Sequence, residues 1–172
     1  MPQFKDDRFD PSKAACPKLW CHITQKGIQG GAVLGTFAVA PALGLYQHFV
    51  KKEQVDPLKI AEGVALTTLG SLGLTFLVGS VKLLQMDREG MEDRVYRLHY
   101  NTSQHRNDHL SQVGGALGLA AAAYFLRNSS DAKPVHYVGG ASAGAAAGIL
   151  LHMLTRPQEA KSVNKMLHEL VN

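Results

Sequence analysis

The chain has 172 residues, of which 19% are charged and 45% hydrophobic, and its length fits a single domain. The charged fraction lies below the roughly 25% that is usual for a soluble domain, and the composition excludes an intrinsically disordered chain. Two cysteines are too few for a disulfide-dense scaffold. The net charge of +4 is spread over the connections without a basic stripe interleaved with aromatic residues, so no nucleic-acid partner is expected.

Charged side chains are nearly missing from four apolar blocks. Residues 28–50 and 134–155 contain no Lys, Arg, Asp or Glu. Residues 60–81 contain only Glu62, and residues 107–126 contain only Asp108, at the edge of this third block. A membrane-spanning helix needs about 20 such residues, and the blocks lack the polar face of a soluble amphipathic helix. Membrane helices are therefore favoured over a soluble bundle of buried, alanine-rich helices. The sequence predicts an all-α protein with four transmembrane helices, at about residues 28–50, 60–81, 110–126 and 135–154.

The polar residues 1–26 are predicted to form an N-terminal extension ahead of a membrane domain at residues 27–155. The extension has no apolar segment after a basic start, as a secretory signal would, and its aspartates are unlike a mitochondrial presequence. At the other end, apolar residues recur at helical spacing within residues 156–172. This pattern predicts an amphipathic C-terminal helix suited to a membrane surface or a partner.

Three local features refine the predicted helices. Pro41 lies inside the first block, where a kink is expected because neighbouring helices in a membrane bundle can satisfy the freed carbonyl. Asp56 followed by Pro57 predicts the start of the second helix. The charged residues Met91–His99 are predicted to form a polar helix outside the membrane.

Glycine recurs at every fourth residue in three of the four blocks. On a helix this spacing places small residues on one face, and in lipid such faces allow two helix backbones to approach closely. A soluble helix would lose about 1 kcal/mol for each internal glycine relative to alanine, so the stripes indicate packing faces. Their regular period argues against a glycine-rich loop. The predicted helix-packing residues are Gly27, Gly31, Gly35, Gly114, Gly118, Gly140, Gly144 and Gly148.

No set of residues indicates catalysis, a bound cofactor or a metal. Glu62 is the one carboxylate within the blocks proper, and its position in the first turn of its helix favours capping or an interface over a functional intramembrane acid. His105 and His109 are spaced by four near His99, but a solvated polar connection is favoured over a metal site. We therefore expect no catalytic residues, no bound cofactor and no metal site.

Cys16 and Cys21 are the two cysteines, and both lie in the polar extension. With the adjacent His22 they supply three zinc ligands without a fourth. They are candidates for a local disulfide if this end faces an oxidising compartment, and two free thiols are the equal alternative.

The fourth block and the loop before it carry a resemblance to a known superfamily. Arg127-x3-Asp131 is followed by Gly139-Gly140-x3-Gly144. This pattern is similar to the Arg-x3-Asp loop and Gly-Gly-x3-Gly helix start of the mitochondrial inner-membrane translocase superfamily. The spacer is one residue longer here, and the motif precedes the fourth span instead of the third.

The resemblance covers roughly residues 27–155 and implies a multi-pass protein of the mitochondrial inner membrane, with the plastid envelope as an alternative. The superfamily includes channel subunits of the presequence and carrier translocases and a four-helix accessory subunit of respiratory complex I. Glu62, Gln47 and His48 are the only polar candidates for a transport path, so a non-catalytic accessory subunit that supports the membrane arm of complex I is favoured. Expected partners are other membrane subunits of that complex, the lipid bilayer and a bound phospholipid. The alternatives are a translocase component or an unrelated small carrier or membrane enzyme.

Overall fold

The computed structural model describes residues 9–155, and every regular element in that range is a helix. The prediction of an all-α protein is therefore confirmed for this part of the chain. The predicted amphipathic helix at residues 156–172 and the first eight residues lie outside it. The five helices are α1 (Ala15–Val50), α2 (Pro57–Leu84), α3 (Arg88–His99), α4 (Thr102–Leu126) and α5 (Pro134–Leu154).

Three of the five helices are long and apolar enough to cross a membrane, namely α1, α2 and α5. The predicted third span, at residues 110–126, lies within α4, which is not one of them. Its charge-poor part includes Ser111, Gln112 and a glycine stripe, and these residues lower its hydropathy relative to the other blocks.

Helix α1 begins at Ala15, well before the predicted boundary near residue 28. Its polar first turns pack against α3, where Leu19, Leu83 and Val95 form a small buried cluster with Ala15. The burial of this segment depends on a helix about 70 positions later in the chain. The predicted polar extension is therefore partly helical and packed.

Pro41 does not interrupt α1. The helix contains π-helical turns at Gly35–Val39 and Tyr46–Val50, on either side of the proline. In the first of these turns the Ala40 N–H donates to the Gly35 carbonyl, five residues earlier. A π-helical turn inserts one residue into the α-helical register, so the helix continues past a residue that lacks an N–H.

The helix starts follow side-chain capping. Asp56 accepts hydrogen bonds from the backbone N–H groups of Leu58 and Lys59, which confirms the predicted start of α2. Asp87 accepts from Gly90 N–H at the start of α3. The polar helix predicted at residues 91–99 is also confirmed, and it begins three residues earlier, at Arg88.

The helices form two antiparallel hairpins, α1 with α2 and α4 with α5, and α5 joins them by packing against α2 and α1. The centre is made of small side chains, Ala32, Ala145 and Ala146. Arg106 at the start of α4 donates hydrogen bonds to the carbonyl and hydroxyl oxygens of Thr155 after α5. This contact lies at the same end of the bundle as α3 and the start of α1, and that end is called the α3 end below. The opposite end, called the loop end, carries the connections at residues 51–56 and 127–133.

Candidate functional site: glycine contacts, a polar cluster and a basic groove

The α4–α5 contact is built on glycine backbones. A Cβ atom at Gly144 would clash with the carbonyl oxygen of Gly114 and lie 2.8 Å from the Cα of Gly118. A Cβ at Gly118 would in turn lie 2.9 Å from the Cα of Gly144. At such distances no side chain fits between the helices, and only glycine allows the backbones to meet. The predicted packing residues on these two helices that lie at this contact are Gly114, Gly118, Gly140, Gly144 and Gly148.

The α1–α2 contact uses glycines of both helices, and each of them packs against a larger residue of the partner helix. A Cβ at Gly31 would lie 2.6 Å from the Cα of Thr68, and one at Gly35 would lie 3.1 Å from the Cα of Val64. Gly27 faces α2 one turn earlier and is also buried. The glycines of α1 thus pack closely against β-branched residues of α2. In the α4–α5 contact, by comparison, glycine faces glycine.

Two glycines of α2 have no packing role within the described residues. A Cβ at Gly70 or Gly73 of α2 would meet nothing within 4 Å. Both positions lie on a part of α2 that the described residues leave uncovered. They provide matched controls for the packing glycines.

The residues of the predicted signature motif are spread over two environments. Gly139 is buried against α2, where a Cβ would lie 2.9 Å from the Cα of Ala61. Arg127 ends α4 with its guanidinium 4.6 Å from the ring centre of Tyr124, and Asp131 lies in the exposed turn before α5. The structure therefore gives Gly139 a packing role and leaves the two charged residues in the α4–α5 connection.

A cluster of polar side chains connects α1 to α4 near the α3 end. Lys26 Nζ lies 2.9 Å from Asp108 Oδ1, and the same carboxylate oxygen accepts hydrogen bonds from Gln29 Nε2 at 2.8 Å and Gln104 Nε2 at 2.6 Å. Asn107 adds a longer bond to Gln29 Oε1 at 3.3 Å. Only 16% of the Asp108 side chain is exposed, so its three hydrogen-bond donors stabilise a carboxylate that is largely removed from water.

A second polar feature lies nearby, between α1, α2, α3 and the start of α4. It is a cavity of about 660 Å³, called the basic groove below. Its apolar part includes Leu74 and Val78 of α2. Its cationic lining residues are Lys26, Lys82, Arg94 and Arg97.

Charge pairing outside the bundle is weak. Asp93 accepts hydrogen bonds from Arg97 on the exposed surface of α3, which raises the pKa of the guanidinium above its ordinary value. Asp10, ahead of α1, accepts hydrogen bonds from the hydroxyl and N–H of Ser12, and these bonds lower the pKa of its carboxyl group. Both carboxylates are exposed or nearly so, and such contacts contribute little to stability.

Cys16 and Cys21 are free thiols, and both are exposed on α1. They are five residues apart on a continuous helix, which corresponds to about 7.5 Å along the axis. A disulfide needs Cα atoms within about 7 Å, so the pair cannot close without unwinding the helix. In this helical geometry both cysteines are free thiols. Within residues 9–155 no group of three or more His, Cys, Asp or Glu side chains is placed to hold a metal.

We expect both thiols to react with a water-soluble maleimide in the solubilised protein without prior reduction. The measurement is the intact mass, which should increase by two labels whether or not a reductant was added first. The variant Cys21→Ser should take up one label under both conditions. Labelling that requires reduction would show that α1 unwinds to form the disulfide.

The polar residues at the loop end have separate roles. Gln47 is buried, and its side-chain oxygen accepts a hydrogen bond of 2.6 Å from the Asp56 N–H, which closes the α1–α2 connection. His48 packs edge-on against its neighbour Phe49, with ring centres 4.8 Å apart. Glu62 lies half-buried on α2, and within residues 9–155 no side chain forms an ion pair or hydrogen bond with it. The three residues do not form a continuous polar path.

Replacing Gln47 with alanine should destabilise the connection by about 1 kcal/mol, because the Asp56 N–H loses its acceptor. The thermal unfolding midpoint in detergent measures this effect. Gln54→Ala, at an exposed position in the same connection, is the matched control and should leave the midpoint unchanged. Equal midpoint shifts for the two variants would mean that any substitution in this connection destabilises it, and that the Gln47–Asp56 hydrogen bond is not the cause.

The fold and these contacts define a class: an all-helical protein with three apolar helices long enough to cross a membrane and a helix-packing surface made of glycine. A family model described as "Protein of unknown function (DUF1757)" matches residues 13–155. The chain belongs to this family. A search of curated proteins gives no match.

Sequence reasoning missed the polar cluster and the basic groove. Lys26 was assigned to the end of the polar extension, and Asp108 to the edge of the third block. A usable signal was present, because Lys26, Gln29 and Asp108 are polar residues at the borders of apolar blocks. Their partners could not be assigned, since the contact joins positions 82 residues apart.

Proposed function

We propose that the protein is a non-catalytic, multi-pass membrane subunit that acts by packing within a larger membrane complex. The observation that carries this proposal is the division of each apolar helix into two faces. Glycine and alanine meet inside the bundle, while bulky side chains point away from it, such as Phe125 at 78% exposure and Leu84 at 87%. Large outward apolar surfaces fit lipid or neighbouring subunits.

In this proposal four helices cross the membrane, including α4. Helix α4 lies antiparallel to α5 with its backbone in contact from Leu110 beside Gly148 to Ala122 beside Gly140. If α5 crosses the bilayer, α4 crosses with it, because only seven residues connect the two helices and the contact extends along most of their length. A weakly apolar helix is stable in lipid when a partner covers its backbone and small residues.

The more specific part of the proposal is an accessory subunit of a mitochondrial respiratory complex, in the membrane arm of complex I. It rests on the sequence resemblance, in which Arg127, Asp131 and Gly139 belong to the superfamily motif. The related accessory subunit is structural, and the packing surfaces of this chain suit that role. The partners would be other membrane subunits, with lipid filling the remaining surface.

The test is a native gel of membranes solubilised in mild detergent and probed for this chain. Co-migration with a respiratory complex near a megadalton would support the proposal, and loss of that complex on depletion of the chain would support a role in assembly. A separate, smaller assembly would contradict the respiratory assignment. Release of the chain by alkaline carbonate would contradict the membrane placement itself.

A second candidate is a component of an inner-membrane protein translocase, and the observation in its favour is Glu62. A half-buried carboxylate on an apolar helix, without an ionic partner among the described residues, is a candidate for contact with a passing or neighbouring cation. Glu62→Ala should then impair protein import while leaving respiratory complexes at normal levels. Normal import in this variant, with crosslinks to arrested precursor also absent, would exclude the translocase role.

A further inference from the structure

The basic groove combines an apolar surface with a cationic one. Along α2 its lining changes from apolar to cationic, with Leu74, Thr75, Val78 and Gly79 followed by Lys82. These residues lie on one face of the helix, because they are spaced by one, three or four positions. From Leu74 to Lys82 the rise is about 12 Å. The groove therefore has an apolar part and a charged part along a single helix face.

The charged part lies at the edge of the apolar region of α2. Lys82 is the first charged residue after Glu62, so residues 63–81 between them form a stretch without charge. Helix α3 follows after a short turn and contributes Arg94 and Arg97 to the same groove. If α2 crosses the bilayer, this arrangement places three cationic side chains at the level where lipid head groups lie.

Two of the four cations in the groove remain available for an anion. Lys26 is paired with Asp108, and Arg97 is paired with Asp93. Lys82 and Arg94 are exposed, and within residues 9–155 neither has an ion-pair or hydrogen-bond partner. Among the described residues no carboxylate lines the groove. The groove thus carries uncompensated positive charge directly above an apolar surface.

We propose that the basic groove binds one anionic phospholipid, with its phosphate at Lys82 and Arg94 and an acyl chain along Leu74 and Val78. The proposal rests on the membrane placement proposed above and goes beyond the packing role. The charge complementarity and the order of the two surfaces identify the occupant, because a free phosphate would not use the apolar part. A cavity of about 660 Å³ has the size of an ordinary ligand site.

A neighbouring cavity of about 520 Å³ fits such a ligand less well. Its one lysine, Lys18, lies over the ring of Phe9 at 4.9 Å, and its lining includes the carboxylate of Asp108. Its other basic groups are histidine imidazoles, and among the described residues no arginine lines it. Of these two cavities, the basic groove therefore carries more lysine and arginine side chains.

The test is native mass spectrometry of the full-length protein in detergent with equal amounts of phosphatidylglycerol and phosphatidylcholine. We expect one tightly held phosphatidylglycerol on the unchanged protein. Lys82→Gln with Arg94→Gln should weaken this binding by about 10- to 30-fold, since each basic residue near a membrane surface contributes about tenfold or less. Lys51→Gln with Lys52→Gln removes the same charge at the loop end and should leave the binding unchanged.

A second variant tests the apolar part. Val78→Trp keeps every charge and fills the groove, and it should reduce phosphatidylglycerol binding about tenfold while the fold is retained. Soluble glycerol 3-phosphate should not displace the lipid. Displacement, equal binding of both lipids, equal loss in the two double variants, or unchanged binding in Val78→Trp would each overturn the site.

The lipid test and the membrane test fail in different ways. A chain that stays in the membrane through carbonate extraction but shows no preference for phosphatidylglycerol overturns the lipid site alone. A chain released by carbonate contradicts the membrane placement. Residues 156–172 are the same in every variant, so their contribution to lipid binding cancels in the comparison.

Discussion

Replacing Gly144 with leucine should separate α4 from α5 and lower the stability of the protein by about 1–3 kcal/mol or more. The physical reason is overpacking: even a single Cβ at this position would clash with the Gly114 carbonyl, and leucine adds three further carbon atoms. For a chain of this size, 1 kcal/mol corresponds to about 2–4 °C in the unfolding midpoint. The midpoint in detergent is the first measurement, and the level of the assembled complex on a native gel is the second.

The matched control is Gly73→Leu on α2. It makes the same chemical change in an apolar helix, and a Cβ at Gly73 would meet nothing within 4 Å. This variant should fold with an unchanged or slightly higher midpoint, because leucine is the better helix former. If both variants lowered the unfolding midpoint equally, the loss in Gly144→Leu would come from helix propensity or membrane insertion. The contact of Gly144 with α4 would then not be its cause. Gly31→Leu, which would clash with Thr68 on α2, should resemble Gly144→Leu.

The helices themselves were accessible to sequence reasoning because their cause is local. The absence of charge over 20 residues and the capping carboxylate of Asp56 depend on neighbours in the chain. Glycine at every fourth residue likewise reports on one helix face. The pattern does not identify the helix that packs against this face, because tertiary structure determines it. Gly114 and Gly118 of α4 pack against α5, whereas Gly31 and Gly35 of α1 pack against α2, and all four carry the same local pattern.

The elements that sequence reasoning missed are those whose cause is remote. The start of α1 at Ala15 depends on Val95, which covers the polar first turns from a different helix. The polar cluster depends on Asp108, and the basic groove draws its charge from α1, α2 and α3 together. None of these contacts has a periodic signature. Polar residues at the borders of apolar blocks indicate only that a partner is needed, and the fold supplies its identity.

The polar cluster leads to the second large expected effect. Asp108→Leu should destabilise the protein by about 1–3 kcal/mol, because the Lys26 ammonium and the amides of Gln29 and Gln104 lose the carboxylate they share. Removing one member of a largely buried charge pair leaves the other charge without compensation. The unfolding midpoint in detergent measures the loss. Asp93→Leu, which breaks the exposed pair with Arg97 on α3, is the control and should leave the midpoint nearly unchanged.

A double variant separates the charge from the packing. If the uncompensated ammonium causes the loss, Lys26→Met combined with Asp108→Leu should be more stable than Asp108→Leu alone, because no buried charge remains. The sum of the stability losses in Lys26→Met and Asp108→Leu should then exceed the stability loss in the double variant. Losses that simply add would show that Lys26 and Asp108 contribute independently, and the ion pair would not be what connects α1 to α4. The α4–α5 hairpin would in that case rest on α5 alone, through the contacts of Gly139 with α2 and of Ala145 and Ala146 with Ala32.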